Sequence, residues 1–176
     1  MSIIVISSSM NPGSRSRVLA KAAVSQLSAH GAEASFVDIA SLNLPFCDGG
    51  SSFTHPAVGS LAKQIGESDA ILLALPIYNY NVGAACKNLI ELTGKAWTGK
   101  VIGIAAAAGG PNAYMAPLQI ANSLMLDFRC IVLPRYVYAA GEAVSEAAIV
   151  DKDVARRLDE LCGELLRVSK ALAASK

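Results

Sequence analysis

Four short apolar runs constrain this chain most: Ile3 to Ile6, Ile71 to Leu75, Val101 to Ala106 and Cys130 to Leu133. Each is continuous rather than alternating. A strand with one wet face alternates polar and apolar residues, so an unbroken run signals burial on both faces, as in a parallel sheet covered by helices. A weaker fifth strand is expected at Ala34 to Asp38. Helical patterns fill the gaps. Val18, Leu19, Ala22, Ala23 and Leu27 recur on one face of a helix that Gly31 closes, with His30 as its C-terminal cap. Further helices are expected over Pro56 to Glu67, Ala84 to Ala96 and Asn112 to Asp127, with Pro117 near the first turn of the last or kinking it. Val154, Leu158, Leu161, Cys162, Leu165 and Leu166 mark a long final helix.

This alternation predicts one α/β domain over residues 1–176, with right-handed crossovers and a three-layer sandwich. Its five-stranded parallel sheet suits the doubly wound order 2-1-3-4-5. Apolar residues make up 53% of the chain and charged residues 16%, enough for a core covering both sheet faces. So few charges also predict that part of the surface is covered in an oligomer.

Other function classes find little material. Net charge is +1 without a charge run, which argues against nucleic acid and anionic membrane as partners. No signal-peptide pattern and no apolar stretch of membrane-spanning length stands out, so a cytoplasmic location is expected. Cys47, Cys86, Cys130 and Cys162 have no CxxC spacing and are expected as free, buried thiols. With only His30 and His55, neither a metal centre nor a Ser-His-Asp triad is expected.

In such a sheet, ligands bind beyond the carboxyl ends of the strands where strand order reverses. Three loops lie there. The first, Ser7 to Ser16, holds five serines in ten residues and runs into a helix start. Hydroxyls and free backbone N–H groups at a helix N-terminus form a dianion cradle, to which Arg15 or Arg17 can add charge. A hydroxyl cap at Ser14 in an ordinary polar turn is the alternative. The loop lacks G-x-G-x-x-G and the G-K-[ST] of a P-loop, which leaves a terminal monophosphate such as that of FMN.

The second loop, Pro76-Ile77-Tyr78-Asn79-Tyr80-Asn81-Val82-Gly83, offers aromatic faces and amides. That combination suits a flavin ring, with its apolar face and polar edge. A strand-to-helix turn that uses Asn for unusual backbone angles is the alternative. In the third loop Gly109 and Gly110 permit close approach to a ligand, and a plain turn explains them equally well.

Together these loops resemble those of the NADPH-dependent FMN reductase family, over nearly the whole chain. Against the family pattern G-S-x-R-x-x-S, Ser8 stands for Gly, Ser9 and Ser14 match the serines, Leu19 matches a later leucine, and Asn11 stands where many members carry Arg. Ser14-Arg15-Ser16-Arg17 resembles a Ser-Arg-Ser variant of flavin reductases in sulfonate metabolism. Against P-x-Y-N-x-S-x-P, Pro76, Tyr78 and Asn79 match, as do Lys87 and Asn88 on the helix beyond; Asn81 and Gly83 depart.

The resemblance implies a flavodoxin-like fold. It also implies an FMN site with Ser9, Asn11, Ser14, Arg15 and Ser16 at the phosphate, Pro76, Ile77, Tyr78, Asn79, Tyr80 and Asn81 around the ring, and Gly109 and Gly110 on its other side. The activity implied is ping-pong transfer of hydride from NADPH or NADH through FMN to free flavin or another small acceptor, with no catalytic side chain singled out. A homodimer or homotetramer, and a flavin-dependent monooxygenase as partner, accompany it. An FMN-bound reductase of quinones, azo dyes or metal oxyanions is the second reading. A flavodoxin-type electron carrier is the third; such carriers are usually acidic, and the net charge of +1 argues against it.

Overall fold

The computed structural model describes residues 1–174. Strands β1 (Ser2–Ser7), β3 (Ala70–Tyr78) and β5 (Val101–Ala108) form the middle of a parallel sheet and are buried almost throughout. The continuous apolar runs thus sit where both faces are covered. Strand β2 (Glu33–Asp38) flanks β1 and is more exposed, in keeping with its weaker signal.

Side-chain alternation divides each strand between two cores. Ile3, Val5 and Leu72 pack with Leu19, Leu27, Leu158 and Leu165, from helices α1 (Arg15–Ala29) and α5 (Lys152–Ala173). Ile4, Ile6 and Leu73 pack with Leu61, Leu89, Trp97 and Ile120, from α2 (Pro56–Glu67), α3 (Ala84–Thr93), the turn beyond it, and α4 (Pro117–Phe128). The result is the expected three-layer sandwich.

The last strand in chain order is broken. Instead of one run from Cys130 to Leu133, the sheet edge consists of β6 (Ile131–Val132) and β7 (Val137–Ala140), both parallel to β5. Pro134 lies between them and has no N–H to give to a ladder. The main path reads β2-β1-β3-β5-β6, with the short β4 (Asn81–Val82) on β3 and β7 on β5. Leaving out the hairpin strand β4, this is the predicted 2-1-3-4-5.

Helix ends follow local chemistry. Ser14 caps α1 by accepting the Arg17 N–H, and the His30 N–H closes it on Gln26. The His30 imidazole also bonds Asp159 at 2.9 Å, tying α1 to α5. Helix α3 stops at Thr93, short of the expected Ala96, because Gly94 takes a positive φ of 31°. Helix α4 starts at Pro117 rather than Asn112, with proline in the first turn where its missing N–H costs nothing.

The four cysteines are free; Cys86, Cys130 and Cys162 are buried and Cys47 is half-buried. Burial pushes the Cys86 and Cys162 thiols up to about 12 and that of Cys130 to about 11. The thiolate is the reactive form. N-ethylmaleimide at neutral pH is therefore expected to label only Cys47 in the native protein and all four after unfolding. Mass spectrometry counts the adducts, and rapid native labelling of Cys86 would contradict this packing.

Candidate active site at the carboxyl ends of β1, β3 and β5

The serine-rich loop leaves β1 anchored to its neighbour. The Ser8 N–H and hydroxyl both donate to the Ala74 carbonyl of β3, at 2.9 and 3.1 Å. The Asn11 N–H then bonds Ser9 Oγ at 3.2 Å, and the Gly13 N–H bonds Asn11 Oδ1 at 3.0 Å. Side chains here do the turning that a longer loop would need backbone partners for. Ser14 Oγ takes the Arg17 N–H at 3.3 Å and lies 2.8 Å from Ser16 Oγ.

Ser9, Ser14 and Ser16 are all buried. Beneath them, at the end of β1, Ser7 Oγ is buried without a hydrogen-bond partner. The first backbone N–H groups of α1 have no helical acceptor by position. Neutral donors are thus concentrated in one place.

Arg17 holds this loop from below. Its guanidinium meets Asp38 at 2.5 and 3.3 Å. The same group donates to the carbonyls of Asn11 (2.8 Å), Pro12 (2.7 Å) and Ser9 (3.3 Å). Its charge is committed to Asp38 and the loop backbone. Arg15 stands exposed at the first position of α1.

The second loop is a tight hairpin that sequence reading did not separate from the helix start. Strand β3 continues to Tyr78, and β4 returns antiparallel, pairing Tyr78 with Asn81 and Ile77 with Val82. Asn79 and Tyr80 both have positive φ, 51° and 59°. Two consecutive left-handed residues define the type I′ turn that matches strand twist. Asn tolerates this conformation; a tyrosine there is an uncommon, strained choice of the kind found at ligand sites. The turn leaves the Tyr78 and Tyr80 rings exposed. Pro76 O accepts the Gly83 N–H at 2.9 Å, and a Cβ at Gly83 would come within 3.1 Å of the Pro76 ring.

Asn88 on α3 has a mainly architectural task. Its amide donates to Pro45 O at 2.9 Å and accepts the Cys47 N–H at 2.8 Å, pinning the long 42–55 loop.

The third loop is braced by tyrosines that sequence reading passed over. The Tyr138 hydroxyl donates to Gly110 O at 2.6 Å, and the Tyr136 hydroxyl donates to Tyr114 O. The Tyr114 ring lies 5.0 Å from that of Tyr136 and 5.5 Å from that of Tyr138. Strand β7 carries Tyr138 alongside β5, in reach of the glycine loop that follows β5.

A cleft of about 470 Å³ joins the second and third loops, lined by Ile77, Asn79, Tyr80, Gly109, Gly110 and Asn112, among others. Asn81 faces a separate cleft with Phe46 and Lys87. Ser9, Asn11, Ser14, Arg15, Ser16, Pro76 and Tyr78 do not line the first cleft. The serine loop is tied to β3 through the Ser8 bonds to Ala74, which lies outside that cleft. Among the described residues, no group of three or more His, Cys, Asp or Glu is arranged to hold a metal.

A doubly wound sheet with three ligand-type loops at its switch point defines a flavodoxin-like α/β protein. A flavodoxin from the domain Archaea shares this fold, with a TM-score of 0.70 at 14% identity over 97% of this chain and 99% of that one. Residues 1–145 match the family model "NADPH-dependent FMN reductase", and the chain belongs to that family. An NAD(P)H:quinone oxidoreductase of Solanum tuberosum is 28% identical over 161 residues, 85% of this chain and 83% of the relative. FerB of Paracoccus denitrificans, a flavoenzyme NAD(P)H:(acceptor) oxidoreductase, has a TM-score of 0.77 at 20% identity, covering 97% of both chains. The protein is accordingly an NAD(P)H-dependent flavin oxidoreductase, with FMN and NAD(P)H as its cofactors.

Proposed function

We propose that FMN binds with its phosphate at Ser9, Asn11, Ser14, Arg15 and Ser16 and its ring along residues 76–81, facing Gly109 and Gly110, and that a quinone is the acceptor. The observation that carries the phosphate assignment is the donor set. Three buried hydroxyls, those of Ser9, Ser14 and Ser16, share one loop with the start of a helix, and Ser7 Oγ at the end of β1 is buried and unpartnered. Such donors match a phosphate without requiring a cation in contact. The ring assignment is supported by the cleft between the strained Asn79–Tyr80 turn and the glycine pair. Bound FMN would supply two-electron chemistry, which suits ping-pong exchange between NAD(P)H and an acceptor. The chain's own part is to orient the ring with the Asn79 amide and to keep the glycine loop in place through Tyr138.

The quinone reading is supported by the Solanum tuberosum relative and by an NADPH:quinone oxidoreductase of Arabidopsis thaliana, 27% identical over 140 residues. The family's description favours a second reading, in which free FMN is the acceptor and a monooxygenase uses it. The two differ in how tightly flavin is held. A homo-oligomer is part of the proposal, supported by Leu118, Met125 and Leu126, which α4 leaves exposed on one side. Among the described residues no helix is long and apolar enough to cross a membrane.

The test is a visible spectrum after loading with FMN and desalting, followed by anaerobic titration with NADPH and steady-state assays. Retained yellow colour that NADPH bleaches, with quinone turnover exceeding that of free FMN, is expected. Loss of flavin on the column with faster turnover of free FMN selects the second reading. Absence of NADPH oxidation with every acceptor overturns both.

A further inference from the structure

Beyond β7 the chain closes a small turn over the serine loop. Val144 is buried and forms an antiparallel bridge with Ile149. Between them the Ser145 N–H bonds Ala148 O at 2.9 Å, and Ser145 Oγ accepts the N–H groups of Ala147 and Ala148 at 3.2 and 3.0 Å. Glu146 stands at the tip of this pinned turn.

Its carboxylate lies against Gly13. A Cβ built on Gly13 would meet Glu146 Oε1 at 3.2 Å and Cδ at 3.5 Å. Gly13 directly precedes the Ser14 cap, so a full negative charge sits where α1 gathers positive potential. Glu146 forms no hydrogen bond or ion pair among the described residues. The Arg17 guanidinium is spent on Asp38 and three carbonyls, and Arg15 stands exposed two residues beyond Gly13 without an ion pair to Glu146.

We propose that Glu146 is a specificity-determining counter-charge, which loosens the site's grip on a flavin phosphate and narrows its preference for FMN over riboflavin. The inference rests on the phosphate assignment made above. An anion beside Gly13, carried on a turn whose backbone is fixed, repels an incoming dianion and competes for the same N–H field. Its effect is confined to phosphorylated ligands, because riboflavin brings no charge to that end. Glu146 is exposed, so solvent screens the repulsion and salt weakens it further.

The test uses Glu146→Gln, which keeps shape and removes charge, with Kd values for FMN and riboflavin from fluorescence titration at low and high salt. About fivefold tighter FMN binding at low salt is expected, a change of about 1 kcal/mol. Riboflavin binding should be unchanged, and the gain on FMN should shrink as salt rises. Unchanged or weaker FMN binding in the variant overturns the proposal. Equal tightening of both flavins does so too, since the residue would then act through the fold or the ring. If neither the native protein nor the variant prefers FMN to riboflavin at any salt, the phosphate assignment itself fails, an outcome distinct from a silent Glu146.

Discussion

Ser14→Asp is expected to weaken FMN binding at least 100-fold while leaving the thermal midpoint within a few degrees of the parent. The two halves of this expectation come from one position with two tasks. Ser14 Oγ caps α1 by accepting the Arg17 N–H at 3.3 Å. Aspartate is as good a cap as serine, and its charge suits a helix N-terminus. Ser16 Oγ, 2.8 Å away, can donate to the new carboxylate as it can to the present hydroxyl. Folding therefore loses little. A phosphate in the same cradle meets a fixed anion at contact distance among buried hydroxyls, where water screens poorly. A 100-fold loss corresponds to about 2.7 kcal/mol, modest for such a contact. Fluorescence titration with FMN alongside a thermal melt checks both halves. Unaltered FMN affinity in a folded variant would move the phosphate elsewhere, whereas a collapsed melting curve would show that the cap, not the ligand, governs Ser14.

The parts of the fold legible in the sequence were those fixed by local pattern. Ile3 to Ile6, Ile71 to Leu75 and Val101 to Ala106 each fall inside a buried strand, because an unbroken apolar run has few other homes. Ser14 and Gly31 mark helix ends by their own chemistry, whatever surrounds them. What stayed hidden depends on residues meeting from afar or on a turn with an unusual residue. The type I′ hairpin is usually announced by Asn-Gly; Tyr80 in the glycine's place disguises it, so Tyr78 to Val82 reads as loop. Pro134 conceals β7, and with it Tyr138, whose hold on Gly110 spans 28 residues. The candidate site was legible as three loops. That Asn79, Tyr80, Gly109 and Gly110 share one cleft, while Asn81 faces another, follows only from the hairpin's direction.

Arg17 shows most sharply how a residue's type can be plain in the sequence while its task is not. Sequence reading offers it as a cation for phosphate; the structure makes it the strut of the loop. Asn11 occupies the place where many family members carry Arg, and its side chain instead closes a turn on Gly13 at 3.0 Å. The guanidinium of Arg17 gathers the carbonyls of Ser9, Asn11 and Pro12 on one side of the loop and anchors them to Asp38. Arg17→Ala strands a carboxylate and three carbonyls that had charged donors. Arg17 and Asp38 side chains are 14% and 22% exposed, so water replaces those donors only in part. A loss of about 2 kcal/mol is expected, seen as a fall of about 4–8 °C in Tm. FMN affinity should fall about tenfold or more as the N–H groups lose their common direction. Arg17→Lys separates strut from charge. An ammonium is a compact point donor and cannot span Asp38 and the carbonyls as the planar fork does. If Arg17 positions the loop, the lysine variant binds FMN nearly as poorly as the alanine variant. If Arg17 acts by its charge, lysine restores affinity, and its role as a strut is refuted.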